Sequence, residues 1–396
     1  MLYRRFGRTE LRMPVLSCGG MRYQQSWVAS DAVTVESQVN LERTLRTALD
    51  HGITHFETAR GYGTSEKQIG DVLPHFDRDT LIVQTKVAPT EDPNQFERDV
   101  RDSLTRLRLP HVDLLALHGV NDEQMLEWSL RPGGCLERAL ALKAQGLTRH
   151  IGFSTHAALD VITAAIRDGR FDYVNLHYYW AFQNNASAVA EAAARDMGVF
   201  IISPSDKGGH LYNPPRTLVE LTAPLSPMVF NDLWCLSHPA VHTISIGARV
   251  ASDFDEHLRA ARLLEEHSSD IRALIAPIEA RLQVKVENAL GKQWANTWSV
   301  GLPEWQQMPG GINVREILRL YNMARTYDMT EYARSRYNLL DGAGHWFPGN
   351  NARLASTLDR REALTASPHA TIIPQRLAEA HALLAGAQQK RLQRDA

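Results

Sequence analysis

Hydrophobic positions in the first part of the chain gather into short, near-continuous runs instead of alternating with polar ones. Eight such runs follow in turn: Val15–Met21, Thr54–Ala59, Leu81–Val87, Val112–Gly119, His150–Thr155, Tyr173–Tyr179, Val199–Ser205 and Val241–Ala248. Runs of this length, rich in β-branched residues, suit strands buried on both faces, as in a parallel sheet. Between them the apolar positions take helical spacing. Leu41, Leu45, Ala48 and Leu49 mark one face before His51-Gly52; Phe96, Val100, Leu104 and Leu107 mark another; Leu159, Ile162 and Ile166 mark a third before Gly169. Eight strands alternating with helices predict an α/β fold, a parallel (β/α)₈ TIM barrel. An open doubly wound sheet is the competitor, but no G-x-G-x-x-G opens a helix after the first strand. Tyr3–Pro14, with Gly7-Arg8 in a turn, predicts an N-terminal β-hairpin ahead of the barrel.

After about residue 285 this rhythm stops. Ala295–Met308 is irregular and carries Trp298 and Trp305. Arg315–Met323, Glu331–Leu339 and Pro374–Leu384 predict helices, with Asp341–Asn351 as a loop. The expected division is a barrel over residues 1–285 and a small, mainly α-helical C-terminal extension over 286–396. The 396 residues exceed the roughly 250 that a barrel takes. No repeat of solenoid period occurs.

Charge narrows the partners. Lysine plus arginine is 43 and aspartate plus glutamate is 45, a formal net charge of −2. Neither nucleic acid nor an anionic membrane is therefore expected as a partner. The three cysteines, Cys18, Cys135 and Cys235, form no C-x-x-C. That excludes an all-cysteine zinc or iron–sulfur site and a disulfide framework, and it suits buried thiols in a reducing compartment. The opening Met1–Phe6 lacks the apolar core of a secretory signal. No run reaches the ~18 apolar residues of a membrane span. A cytoplasmic protein is the expectation.

In a (β/α)₈ barrel the reactive groups sit at the carboxyl ends of the strands. The second strand ends in Glu57, with Tyr62 in the following loop; the third ends in Lys86 and the fourth in His118. These residues come from adjacent strands, so one site can hold all four. Together they suit proton transfer to a carbonyl. A tyrosine hydroxyl is the acid, and a neighbouring ammonium stabilises its conjugate base. A carboxylate holds the lysine, and a neutral histidine orients the substrate oxygen. Taken singly, a strand-end lysine or histidine is more often a structural ion pair or hydrogen bonder, and Glu57 by itself could simply pair with Arg60; four such residues on three consecutive strands favour the site.

Here the sequence resembles a known family. His55-Phe56-Glu57-Thr58-Ala59-Arg60-Gly61-Tyr62-Gly63-Thr64-Ser65-Glu66, with Gly70, is similar to the D-T-A-x-x-Y-G-x-x-E signature of the aldo-keto reductases. Thr85-Lys86-Val87 resembles the family's third-strand lysine, Val112–Gly119 its V-D-L-x-x-x-H strand, and Gly146–His156 its I-G-x-S strand. The likeness spans about residues 1–285. It implies NADP-dependent reduction of an aldehyde or ketone, a small-molecule carbonyl, by hydride transfer, with Tyr62 as general acid and Lys86 and His118 in support; NAD is the alternative cofactor. Glu57 stands where the family has aspartate. Its extra methylene moves the carboxylate by about 1.5 Å, one C–C bond, and a misplacement of about 1 Å can cost a hundredfold in rate.

The resemblance extends to the cofactor. Ser154 falls on the serine that touches the carboxamide, with Thr155 where asparagine is usual and Asn175 where glutamine is usual. The nicotinamide-stacking aromatic falls on Ile202. Ser203, Pro204 and Ser205, followed by Lys207, Gly208 and Gly209, resemble the pyrophosphate loop. Gly247 resembles the phosphate-binding turn, and Arg249 would pair with a 2′-phosphate, favouring NADP. Glu256 and His257 stand at the adenine positions. Trp27, Tyr179 and Trp180 suit either an aromatic-lined substrate pocket or packing between loops.

One subgroup of the family carries a C-terminal ferredoxin-like region with iron–sulfur clusters. Met308–Val314 resembles the end of its first cysteine run. The cysteine places fall on Ser299, Leu302, Trp305 and Met308, none of them a thiol. This implies a degenerate domain with no Fe–S cluster; an unrelated helical region is the other reading. A cofactor-binding barrel with a regulatory or structural role and little turnover, as in potassium-channel β subunits, is the alternative function.

Overall fold

The structure is a computed structural model, and it describes residues 1–268, 270–342, 348–357, 359 and 361–387. Its strands are β1 Tyr3–Arg5, β2 Arg12–Pro14, β3 Leu16–Gly19, β4 His55–Glu57, β5 Ile82–Val87, β6 Val112–Leu117, β7 Thr148–Ser154, β8 Tyr173–Leu176, β9 Gly198–Ile201 and β10 Thr243–Ile246. Strands β3 to β10 close into a parallel eight-stranded barrel in sequence order, with β10 against β3. All eight apolar runs supply one barrel strand each. β1 and β2 pair antiparallel, Tyr3 opposite Pro14.

Local signals explain the helices between strands. Thr34 caps helix Val35–Asp50 by accepting from the Ser37 N–H. Asp92 caps helix Pro93–Leu107, with Pro93 in the first turn where its missing N–H costs nothing. Gly169, left-handed at φ +82°, ends helix Leu159–Asp168. The hairpin closes the amino end of the barrel. Phe6 is fully buried with Met13, Ile82, Leu114, Tyr173 and Phe200. Gly198 makes this possible, since a Cβ there would lie 2.7 Å from the Phe6 ring. With that end plugged, the carboxyl ends of the strands remain for chemistry.

Two compact units divide the chain: residues 1–208 with 228–271, and residues 209–227 with 272–396. The division expected at residue 285 falls inside a continuous helix, Ile271–Leu290, whose Ile275, Ile278 and Leu282 are buried. Apolar rhythm marks where strands stop, but not which unit a helix packs into. The second unit contains helices Val314–Tyr327, Thr330–Tyr337 and Ile373–Leu384, on the segments with helical spacing. Inside it Arg319 donates to Glu316 Oε2 at 2.8 Å and to the Tyr332 hydroxyl at 3.2 Å. Ala295–Met308, expected to be irregular, begins within helix Lys292–Thr297, which starts after Gly291 at φ +94°. Of the loop expected over Asp341–Asn351, residues 343–347 lie outside the described residues. Among the described residues no helix is long and apolar enough to cross a membrane.

Candidate active site

Glu57 is the last residue of β4 and stands opposite Gln84 on β5, so Lys86 lies two residues nearer the carboxyl rim. Lys86 is buried; its Nζ donates to the Thr58 carbonyl at 2.7 Å and pairs with the Glu57 carboxylate. The same Nζ lies 4.7 Å from the centre of the Tyr62 ring. His118, held by its N–H to the Val87 carbonyl at 2.7 Å, meets Tyr62 edge-on with centroids 5.6 Å apart. The four residues named from the strand ends are thus gathered together. Trp27 touches the Tyr62 ring from another side, at 6.4 Å and nearly perpendicular. Gly63 brings these loops together: at φ +56°, a Cβ there would fall 1.9 Å from the Ser26 carbonyl oxygen.

The longer Glu57 side chain is accommodated at Gly19. A Cβ at Gly19 would lie 3.3 Å from Glu57 Oε2 and 2.5 Å from Ser245 Oγ. The extra methylene is thus taken up in space left by a glycine, and the carboxylate still reaches Lys86. Burial pushes the Lys86 ammonium well below the usual lysine range, while the Glu57 carboxylate opposes that shift.

His55 lies at the other end of β4. Its Nδ1 is 2.7 Å from Ser17 Oγ, which is 2.7 Å from Thr243 Oγ1. Burial, reinforced by the Lys86 charge, pushes the His55 imidazole down to about 3. The unfolded chain therefore binds a proton that the folded chain refuses between pH 6.5 and about 3. Stability from this residue is present above pH 6.5 and is lost as pH falls through that window, by an amount on the order of 5 kcal/mol. His55→Gln should flatten the acid limb of the stability–pH curve, as followed by urea unfolding from pH 7 to 4.

Ser154 and Asn175 face each other across β7 and β8. Ser154 Oγ accepts from the Gly119 N–H at 3.0 Å. The Asn175 amide is fully buried, and neither its nitrogen nor its oxygen has a hydrogen-bond partner in the protein. Such a group calls for a ligand or water offering both a donor and an acceptor. A carboxamide offers both, so this residue fits the nicotinamide end of the expected cofactor. Thr155 does not stand ready in the same way: its hydroxyl donates to the Val120 carbonyl at 2.7 Å and accepts from the Ala157 N–H.

The expected pyrophosphate loop follows β9. Ser203 is left-handed at φ +54°, and Pro204 starts the short turn Pro204–Lys207. Ser205 Oγ is buried with no protein partner. Gly208 closes against Pro204, whose carbonyl also accepts from Asn231 Nδ2 at 3.3 Å. Lys207 turns toward His177, its Nζ 3.2 Å from Nε2. After β10, the Gly247 carbonyl accepts from Arg22 Nη1 at 3.1 Å. Arg249 is exposed, and its backbone is held by Asp253 and Asn40. Glu256 is exposed on helix Asp255–Glu266, whereas the neighbouring His257 is buried. It is fully buried, with Nδ1 2.5 Å from Asp232 Oδ2. One helical step separates the two, and it turns His257 to the inner face with Leu258 and Ala261.

Sequence reasoning missed several participants. Arg22 and Asn231 lie on segments with no motif around them. His156 directly follows Thr155 and His177 falls two residues beyond Asn175, inside segments read for their strands and not for these side chains. Tyr179, expected near substrate, is buried with its hydroxyl 2.5 Å from His177 Nδ1. Trp180 packs on Phe230, centroids 5.8 Å apart.

A buried lysine–carboxylate pair under a tyrosine, with a histidine beside it at the carboxyl rim of a (β/α)₈ barrel, defines a class of NAD(P)H-dependent oxidoreductase. Residues 15–210 match the sequence model of the Aldo/keto reductase family, and the barrel of this chain belongs to that family. The oxidoreductase YrpG of Bacillus subtilis is 28% identical over 239 residues, covering 53% of this chain and 68% of the relative. In structure, the holo form of aldo-keto reductase AKR11C1 from Bacillus halodurans superimposes with a TM-score of 0.59 at 20% identity, over 71% of this chain and 96% of that one. An aldo-keto reductase from Klebsiella pneumoniae in complex with NADPH gives 0.54 at 19% identity, over 69% and 94%. At those identities the two structures speak for the fold alone.

Proposed function

We propose that the protein reduces the carbonyl of a small aldehyde or ketone with NADPH, Tyr62 acting as general acid. The observation that carries this reading is the buried Lys86 ammonium, fastened to Glu57 and lying against the Tyr62 ring. Bound NADPH would supply the hydride for the carbonyl carbon. Tyr62 gives its phenolic proton to the carbonyl oxygen, so the product is the alcohol and the tyrosinate is reprotonated from solvent. Lys86 stabilises the tyrosinate through its charge, Glu57 keeps that charge in place, and His118 orients the oxygen.

Ser154 and Asn175 are the residues for the carboxamide, and the unsatisfied Asn175 amide supports this. Ser203, Pro204, Ser205, Lys207 and Gly208 would hold the pyrophosphate. Gly247 and Arg249 would take the 2′-phosphate that distinguishes NADP from NAD, with Glu256 near the adenine. Three buried, unlinked thiols suit a reducing, cytoplasmic setting. We read the C-terminal helical region as a ferredoxin-like domain without clusters, its Leu302 and Met308 buried at former cysteine places.

The test is NADPH consumption against a panel of aldehydes and ketones, with direct NADPH binding measured in parallel. Tight binding with no consumption above the Tyr62→Phe level would replace this reading with the regulatory one. Because the site is built around the longer carboxylate, Glu57→Asp should lower kcat/KM by roughly tenfold to a hundredfold. A rise in steady-state rate would show that Glu57 is a misfit.

A further inference from the structure

Inside the barrel, next to Glu57 and Lys86, lies a layer of polar side chains that proton transfer by Tyr62 does not use. Side chains alternate along a strand, so His55 shares the inner face of β4 with Glu57, and Gln84 shares that of β5 with Lys86. Glu57 and Gln84 are register partners on these adjacent strands. The ion pair therefore has His55 and Gln84 as its neighbours toward the barrel interior, and both are fully buried.

The His55 ring is fixed from two sides. Its Nδ1 is tied to the Ser17–Thr243 hydroxyl pair, and its face packs on Phe200 with centroids 5.3 Å apart. Its Nε2 has no hydrogen-bond partner among the described residues, and neither the oxygen nor the nitrogen of the Gln84 amide has one. Gln84 nevertheless stands near enough to favour the protonated form of His55, and the Lys86 charge is felt at the same ring. Three orphaned polar atoms thus lie side by side without a direct bond of normal geometry. β8, across the barrel, adds another. The ring of Tyr173 lies over Gly152, where a Cβ would fall 2.6 Å from its carbons, and its buried hydroxyl also has no partner among the described residues.

A water with two or more polar partners removes the cost of leaving such atoms dry. The Glu57–Lys86 pair makes a related demand, because a buried ion pair is favourable only when its remaining lone pairs and protons are hydrogen-bonded. We infer that His55 and Gln84 hold ordered water inside the barrel and that this water hydrogen-bonds the Glu57 carboxylate, making Gln84 a positioning residue for the Lys86 charge that acts on Tyr62. The catalytic consequence rests on the carbonyl reduction proposed above; the water site does not. With neutral hydrogen-bonding groups beside it, Glu57 stays ionised and Lys86 stays protonated. An apolar side chain in place of Gln84 favours transfer of a proton from the Lys86 ammonium to the Glu57 carboxylate. That transfer removes the cation beside Tyr62 and raises the pH at which its phenol ionises. The titratable groups gathered here are His55 and Glu57 on β4, Lys86 on β5, Tyr62 on the loop after β4, His118 after β6 and Tyr173 on β8. His55 is neutral above about pH 3, and burial pushes the Tyr173 phenol up, so neither adds charge at neutral pH.

Two measurements test it. A crystal structure of the full chain should show water within hydrogen-bonding distance of His55 Nε2, the Gln84 amide and the Glu57 carboxylate. A direct His55–Gln84 bond with no water between, or water that stops short of Glu57, overturns the inference. The second measurement follows tyrosinate absorbance against pH in wild type, Gln84→Met and Gln84→Asn. Subtracting the same protein carrying Tyr62→Phe isolates Tyr62. Gln84→Met should move the Tyr62 ionisation up by about one pH unit, a tenfold change in its equilibrium. Gln84→Asn, which keeps the amide, should move it clearly less. No movement in Gln84→Met, or equal movement in both variants, overturns the positioning role. Should Gln84→Met fail to fold, the water in the wild-type crystal structure decides. The expected water and titration in a protein that reduces no aldehyde would overturn the carbonyl reduction and leave the water site standing.

Discussion

Replacing Lys86 with methionine should destabilise the folded protein by about 3–5 kcal/mol. The substitution keeps most of the side-chain volume but leaves the Glu57 carboxylate buried beside a thioether, with no cation to offset its desolvation. The Thr58 carbonyl loses its donor as well. The loss should be greatest at neutral pH and should shrink in acid, where Glu57 takes up a proton. The double variant Glu57→Leu with Lys86→Met should recover most of the stability, because a buried ion pair replaced as a unit costs far less than one broken. Urea unfolding of the two variants checks this: equal stability would mean that the Glu57–Lys86 contact contributes nothing. Both variants should also lack reductase activity, so stability and catalysis separate in the double variant.

Tyr62→Phe should lower kcat for carbonyl reduction by about 10²–10⁴-fold, the usual contribution of a positioned general acid. The ring is what packs: it meets His118 and Trp27 edge-on and lies against Lys86. Phenylalanine retains those contacts, so NADPH affinity and thermal midpoint should change little. Steady-state rates with a cofactor binding titration separate the two effects. A variant that retains wild-type kcat would remove Tyr62 from the reaction and shift attention to His118 or a bound water as the proton source.

Much of the site was legible because a parallel barrel converts strand order into position. Glu57, Lys86 and His118 each end an apolar run, and consecutive runs pair, so their proximity follows from topology alone. Tyr62 was readable through the signature around it. Residues that act through contacts between distant segments were less legible. His257 stands where an adenine contact was expected, yet helix rotation places it against Asp232 in the interior. Nothing local to Gly19 indicates that its missing Cβ leaves room for the longer carboxylate of Glu57. The helix Ile271–Leu290 shows the same limit at the level of units, since its apolar face is evident in the pattern but its packing partners are not.

The sequence by itself determined the (β/α)₈ barrel, the hairpin before it and the identity of the four residues at the strand ends. Periodicity and strand order are local and sequential properties, and a parallel barrel preserves them. Only the tertiary structure decided how Glu57 reaches Lys86, why the Asn175 amide is left without a partner, and that His55 and Gln84 bring orphaned polar atoms together beside that ion pair. Those outcomes depend on rotamers and on cross-strand neighbours, which packing selects and which no spacing along the chain encodes.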